Sequence, residues 1–226
     1  MKKTAGFILT IILAFIFTSC SKVNSSDEKN DPNVIGGDTN IPLAQQGNTA
    51  TTGYVYIDNN YYNINSSFEI TKNENGIATV KVSADLSQVP GLKAFNDFIP
   101  SEMKDSAGKI NTEVRLKITS EGIQDFFNKD QKLHTLVKYD CNVGDQYKLT
   151  KSDGNTITRT VTSKSTTDDT PFGMMYIKAI TIEQDSRVPG IKKFIYKANH
   201  RFGLVYFEIV AEDGSSASTN IFAQNY

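Results

Sequence analysis

From residue 53 onward the chain alternates apolar and polar residues with a period of two, and no other feature constrains its fold as much. The stretch "EVRLKIT" sets Val114, Leu116 and Ile118 on one side and Glu113, Arg115, Lys117 and Thr119 on the other. Successive side chains of a strand point to opposite faces, so such a run is a strand with one buried and one wet face. "GYVYI", "SFEITK" and "IATVKVSADL" repeat the pattern, and turn residues separate the runs. "NENG" lies between two of them, Asp153-Gly154 divides "QYKLTKS" from "NTITRTVTS", and Asp213-Gly214 follows "FGLVYFEIVAE". Asp-Gly between alternating runs is a strong hairpin signal. The spacing predicts about ten to twelve strands, mostly antiparallel, joined by short polar turns. The fold class is therefore mainly β: an antiparallel β-rich sandwich or an open half-barrel, with residues 53–226 as one globular domain.

Two segments depart from the period. "SEGIQDFFNKD" opens with Ser120, an N-cap residue type, and places Glu121 where a helix dipole favours an acid. Ile123, Phe126 and Phe127 follow at helical spacing. "GLKAFNDFIPSEM" sets Leu92, Phe95 and Phe98 three apart, with Pro100 as a stop. One or two short helices are expected there.

The first twenty residues follow a different rule. Lys2 and Lys3 precede an apolar run from Phe7 to Phe17, which small residues follow. The run is far shorter than the roughly 20 residues that span a bilayer. Charge, short apolar core and small residues in that order form a secretory signal peptide over residues 1–19. Phe17-Thr18-Ser19-Cys20 resembles the lipobox of bacterial lipoproteins, in the relaxed form of Bacteroidota-type members, with Phe17 in place of the usual Leu. The resemblance implies cleavage before Cys20, a diacylglyceryl thioether on its sulfur and an acyl chain, palmitate-like, on the new amine. Two or more chains give stable anchoring, at about 0.8 kcal/mol for each buried CH₂. Ser21 after the cysteine is compatible with delivery to the outer membrane, on either its periplasmic or its surface face. The C-terminal stretch "MMYIKAITIEQDSRVPGIKKFIYKANHRFGLVYFEI" also resembles segments of Bacteroidota lipoproteins to which no activity is attached.

The mature chain would carry 22 basic against 25 acidic residues, a net charge of −3. That excludes a basic nucleic-acid footprint and a polybasic membrane patch. Residues 21–52 are rich in Ser, Asn, Asp, Gly, Thr and Gln and hold no aromatic residue. Such a segment buries too little to offset its ordering entropy, and it reads as a flexible tether from Cys20 to residue 52. "SQVPGLKAF" at 87–95 and "SRVPGIKKF" at 186–194 match at six of nine positions. The echo suggests an internal duplication with halves near 53–108 and 133–226, although Pro-Gly turns recur in any β protein.

Residues suited to catalysis are few. With Cys20 acylated, Cys141 has no disulfide partner and reads as a packed thiol. His200, between Asn199 and Gly203, reads as a turn histidine, and His134 completes the pair of histidines. No zinc spacing, EF-hand loop, P-loop, G-x-G-x-x-G or G-x-S-x-G motif is present, so neither a cofactor nor a metal is expected. Tyr54, Tyr56, Tyr61 and Tyr62 gather around Asp58-Asn59-Asn60. On a hairpin these rings could stack on a sugar, a reading that a coplanar exposed pair would strengthen. The expectation is a lipid-anchored envelope protein acting as a non-catalytic binding or structural module, its partners being the membrane and a glycan or an envelope protein. Two other readings stand beside it: a hydrophobe carrier with a half-barrel cavity, and a glycan-active hydrolase.

Overall fold

A computed structural model describes residues 33–57, 60–86, 89 and 101–226. The signal peptide, Cys20 and the sequence up to residue 32 lie outside them, as does all of the first echo copy except Val89.

The chain is mainly β, as the alternation predicts. The strands are β1 (Thr49–Ile57), β2 (Asn60–Tyr62), β3 (Ser66–Glu74), β4 (Ile77–Ala84), β5 (Ile110–Thr119), β6 (Gly122–Asp125), β7 (His134–Lys138) and β8 (Gln146–Thr150). They continue with β9 (Thr156–Lys164), β10 (Thr170–Phe172), β11 (Met175–Ile177), β12 (Ile180–Asp185), β13 (Ile191–Asn199), β14 (Gly203–Ala211) and β15 (Ser216–Ala223). The count of fifteen among the described residues exceeds the expected ten to twelve because β2, β10 and β11 are three-residue strands that periodicity cannot resolve.

Thirteen strands form one antiparallel sheet in the order β7-β6-β5-β4-β3-β1-β15-β14-β13-β12-β9-β8, with β2 hydrogen-bonded to β1 off that path. The sheet curls until its two ends almost meet, so the half-barrel reading is nearer than the sandwich. At the seam no ladder joins β7 to β8, and side chains do the closing. His134 Nε2 donates to the Tyr147 carbonyl at 3.1 Å, and the Lys138 amide donates to Tyr147 Oη at 3.3 Å. The main core lies behind this seam, with Ile118, Ile123, Val137, Tyr147, Val161 and Ile182 packed together.

Turn chemistry does what the sequence implies at Asn75-Gly76. Both residues have positive φ, +52° and +81°, the type I′ pair that matches strand twist between β3 and β4. The β8–β9 and β14–β15 hairpins turn at Asp153-Gly154 and Asp213-Gly214, where Asp153 and Asp213 Oδ1 accept from the amides of Asn155 and Ser215.

The helix expected over 120–130 is a strand. Gly122–Asp125 pairs with both β5 and β7, so its backbone groups are consumed by ladders on two sides. All four residues are buried, which no amphipathic helix would allow. Gly122 sits so close to β7 that a Cβ there would fall 2.3 Å from the Val137 carbonyl oxygen. The helical spacing has other causes: Phe126 packs under the Arg115 guanidinium at 4.3 Å, and Phe127 is exposed. Among the described residues there is no α-helix, only 3₁₀ turns at Pro42–Ala44 and Ser101–Met103. The second expected helix, over 91–103, lies outside the described residues except for that last turn.

Part of the segment expected as a tether over 21–52 lies within the described residues, from Asn33 onward. From there the chain lies on the barrel as a strap. Asn33 Nδ2 donates to the Lys148 carbonyl on β8 at 2.8 Å, and Asn33 Oδ1 accepts from the Thr135 amide on β7 at 3.3 Å. The Asn33 carbonyl accepts from Gln124 Nε2 on β6. One residue thus bridges both sides of the open seam. Further along, Lys117 Nζ donates to the Ile35 carbonyl, Ser120 and Asp38 exchange backbone and side-chain hydrogen bonds, and Ile35, Leu43 and Ala44 are buried. Polar composition hid this segment because three buried apolar residues suffice when hydrogen bonds hold the rest.

Candidate functional site

At one end of the barrel lie the β5–β6 and β13–β14 turns, the last residues of β7 and β9, and the start of β12. Between them opens a cleft of about 510 Å³. Ser120 and Glu121 form one wall, Tyr139 and Asp140 a second, Lys164 and Ser165 a third, and Lys178 and His200 flank the mouth. Ala179, Ile180 and Ala198 supply an apolar floor.

Local hydrogen bonds set these groups in place. Lys164 Nζ donates to the carbonyls of Tyr139 at 3.1 Å and Cys141 at 2.8 Å, which staples the end of β9 to the end of β7. An ammonium has three donors, so a third N–H remains for a ligand. Asn199 Oδ1 accepts from the amides of Arg201 and Phe202, and its Nδ2 donates to the Lys178 carbonyl at 2.7 Å. That Asn199 turn fixes His200 in an exposed position, the setting its sequence predicts. The Tyr139 amide donates to the Glu121 carbonyl, and Ser165 Oγ donates to Asp169 Oδ1 at 2.6 Å.

Tyr139 is the unusual member. Its Oη is buried and has no hydrogen-bond partner among the described residues. Burial pushes its phenol well above the ordinary tyrosine range, so it is a neutral O–H donor at every physiological pH. A buried hydroxyl without a partner costs roughly 1–3 kcal/mol. Together the cleft offers donors from Lys164 and Lys178 and acceptors from Glu121 and Asp140.

The arrangement has no activated nucleophile. Cys141 is free and buried, outside the lining of the cleft. Burial raises its thiol pKa, the opposite of what a reactive thiolate needs. His200 makes no hydrogen bond to Cys141 or to a serine among the described residues. No group of three or more His, Cys, Asp or Glu among the described residues is placed to hold a metal ion.

The four tyrosines singled out by sequence lie at the opposite end of the barrel, on the β1–β2 hairpin. Tyr54 and Tyr61 are 59% and 72% exposed. Tyr54 and Tyr56 both contact Tyr61, which places them on one face as expected. Yet the Tyr54 and Tyr61 rings meet edge to face at 80° and 6.1 Å, and Tyr56 and Tyr61 are tilted by 49°. No coplanar platform forms. Tyr62 turns inward beside Val55 and Ala217. Asp58 and Asn59 lie outside the described residues, as does Cys20.

Sequence reading missed a buried polar node beneath the seam. Arg159 on β9 meets Asp125 on β6 at 2.8 Å, donates to the His134 and Thr135 carbonyls on β7, and donates through Nε to Gln184 Oε1 on β12 at 2.7 Å. Arg159, Asp125 and His134 are each 1% exposed. The node fills the space that a carrier of hydrophobes would leave open. Burial holds the Asp125 carboxyl above the ordinary range, while Arg159 and the Phe127 amide pull it back. The signal for it was thin: Arg159 sits at an inward-facing position of an otherwise regular strand, "TITRTVTS".

No protein-family model and no curated protein matches this chain. One solved structure is similar, described as an exported protein with a YmcC-like fold from Bacteroides fragilis. The two share 12% identity over 81% of this chain and 96% of the other, with a TM-score of 0.44.

Proposed function

We propose that this chain is a lipid-anchored protein of the cell envelope, held by Cys20 at the outer membrane, whose barrel is a non-catalytic binding module for a small polar ligand that bears a carboxylate or phosphate. Three features in order support the anchor: Lys2 and Lys3, the short apolar run, and the Phe17-Thr18-Ser19-Cys20 box. The observation that carries the binding reading is the lining of the cleft, which brings the Lys164 and Lys178 ammonium groups together with Glu121 and Asp140, with a third Lys164 N–H left for a ligand. Two ammonium groups donate, and neither accepts. They match an anionic acceptor, while Glu121 and Asp140 can receive the hydroxyls of a sugar-like body.

Each half has its own test. Cells fed a clickable fatty acid should label the wild-type protein and not Cys20→Ala; label that persists in Cys20→Ala sinks the anchor. For the cleft, the thermal midpoint of the mature protein is followed with glucuronate, glucose 6-phosphate and glucose. The two charged sugars should raise it, since a ligand at about 100 times its Kd adds about 2.7 kcal/mol. Lys178→Gln should weaken that response about tenfold in affinity, the value of one hydrogen bond to a charged group. An equal response to glucose, or an unchanged Lys178→Gln, would remove the anionic-ligand reading.

A further inference from the structure

The β10–β11 hairpin leaves the barrel at the cleft end and pairs with no other strand. Its inward face is fixed: Phe172 and Ile177 pack with Phe202, Val205 and Phe222, with the Phe172 and Phe222 rings stacked at 4.8 Å. Gly173 opens the two-residue turn with φ +59°, which only glycine adopts readily. The tip is therefore held rigidly, and it is apolar. Met174 is fully exposed, and Met175 and Tyr176 are 47% and 64% exposed. Met174 is the most exposed large apolar side chain among the described residues. A tip that meets only water favours Asn, Asp, Gly or Ser in such a turn, and the other hairpins of this barrel use them. At the base of the hairpin Lys178 follows β11, and the Arg201 guanidinium lies over the Phe202 and Tyr226 rings at 5.4 and 5.0 Å. Asp168 and Asp169 precede the hairpin and balance those charges.

We propose that this hairpin tip is a second, reversible contact with the bilayer: Met174 and Met175 enter the interface, Tyr176 lies at headgroup level, and the cleft is thereby turned toward the membrane surface. The inference rests on the lipid-anchor reading. Twelve residues separate Cys20 from Asn33, and a flexible chain of that length has a root-mean-square reach of about 20 Å. Asn33 is bonded at Thr135, and the five residues from there to the rim at Asp140 rise about 16 Å. The anchor thus keeps the cleft end within reach of lipid, and the surface that meets the rigid apolar tip is the bilayer. With near-neutral local charge, apolar insertion drives the contact, so zwitterionic lipid suffices.

The chain contains no tryptophan, so Tyr176→Trp makes its tryptophan the sole reporter at the tip. The mature protein is mixed with excess phosphatidylcholine vesicles, plain or brominated in the acyl chains, and emission is read on the whole mixture. Tyr176→Trp should shift to the blue and lose about half its emission on brominated lipid, and adding Met174→Asp should abolish both effects. Tyr61→Trp, at the opposite end, should show neither. Emission from Tyr176→Trp that is unchanged by bromine, or quenched equally in Tyr61→Trp, overturns the proposal; a hairpin built for a protein partner would give the first result. The mass of the N-terminal peptide reads acylation separately. An unmodified Cys20 would therefore refute the anchor while the tryptophan still decides the hairpin.

Discussion

Arg159→Leu should lower the unfolding free energy by about 3–5 kcal/mol, the largest single effect expected in this chain. The substitution keeps most of the side-chain volume and removes the only cation that faces Asp125 at the node. An isolated carboxylate in a site that is 1% exposed has no water to turn to. The four strands that the guanidinium joins, β6, β7, β9 and β12, also lose their common hydrogen-bond donor. Urea denaturation of the mature protein measures the loss. Two companions identify its cause. Adding Asp125→Leu should restore most of the stability, because an apolar pair of similar volume has no desolvated charge to compensate. Acid should also relieve the single variant. The carboxyl that burial already raises will rise further without Arg159. Its penalty is then full at neutral pH and disappears as pH falls to the unfolded carboxylate value near 4. A single variant that loses less than about 1 kcal/mol would show that the node does not hold the seam.

His134 should give the folded barrel a steep acid limit. Burial, and then the charge of Arg159, lower its pKa from 6.5 to about 4, against the pull of its bond to the Tyr147 carbonyl. The folded state therefore keeps the imidazole neutral where the unfolded chain would protonate it. Stability from this group is complete above pH 6.5 and is lost as pH falls from 6.5 toward 4. At about 1.4 kcal/mol per pH unit, the loss approaches 3 kcal/mol. His134→Gln can still donate to Tyr147 and does not titrate, so its profile should lack the histidine's loss across that window. Asp125 acts with the opposite sign, and subtracting the His134→Gln profile from the wild-type profile isolates the histidine. Parallel profiles would refute the assignment.

The legible parts of this chain were those that local physics dictates. Strict alternation in β5 and the Asn75-Gly76, Asp153-Gly154 and Asp213-Gly214 turns each depend on neighbours in sequence, and each stands where it was expected. Cys141 and His200 also read correctly as a packed thiol and a turn histidine, because both follow from the flanking residues. Gly122–Asp125 misled because its spacing fits a helix, and only its two partner strands, one of them more than ten residues later, reveal why it is extended. The strap from Asn33 to Ala44 misled for the same reason. Its bonds to Ser120, Thr135 and Lys148 reach across 82 to 115 residues, beyond any window of composition. The cleft was invisible for a further reason: five separate turns and strand ends assemble it, and no two of its walls are close in sequence.

On the proposed export route, the pairing of β1 with β15 sets a schedule. Ala50 lies opposite Ala223, and Asn48 exchanges hydrogen bonds with Asn225, 177 residues away. The segment that leaves an export channel first therefore waits for the segment that leaves last. Such long-range closure makes folding slow, and the partly emerged chain exposes unpaired strand edges in the meantime. The barrel can close only after its final strand has crossed the membrane, so a chain truncated by even this one strand would leave β1 and β14 as bare edges, with nothing to join the two halves of the wall.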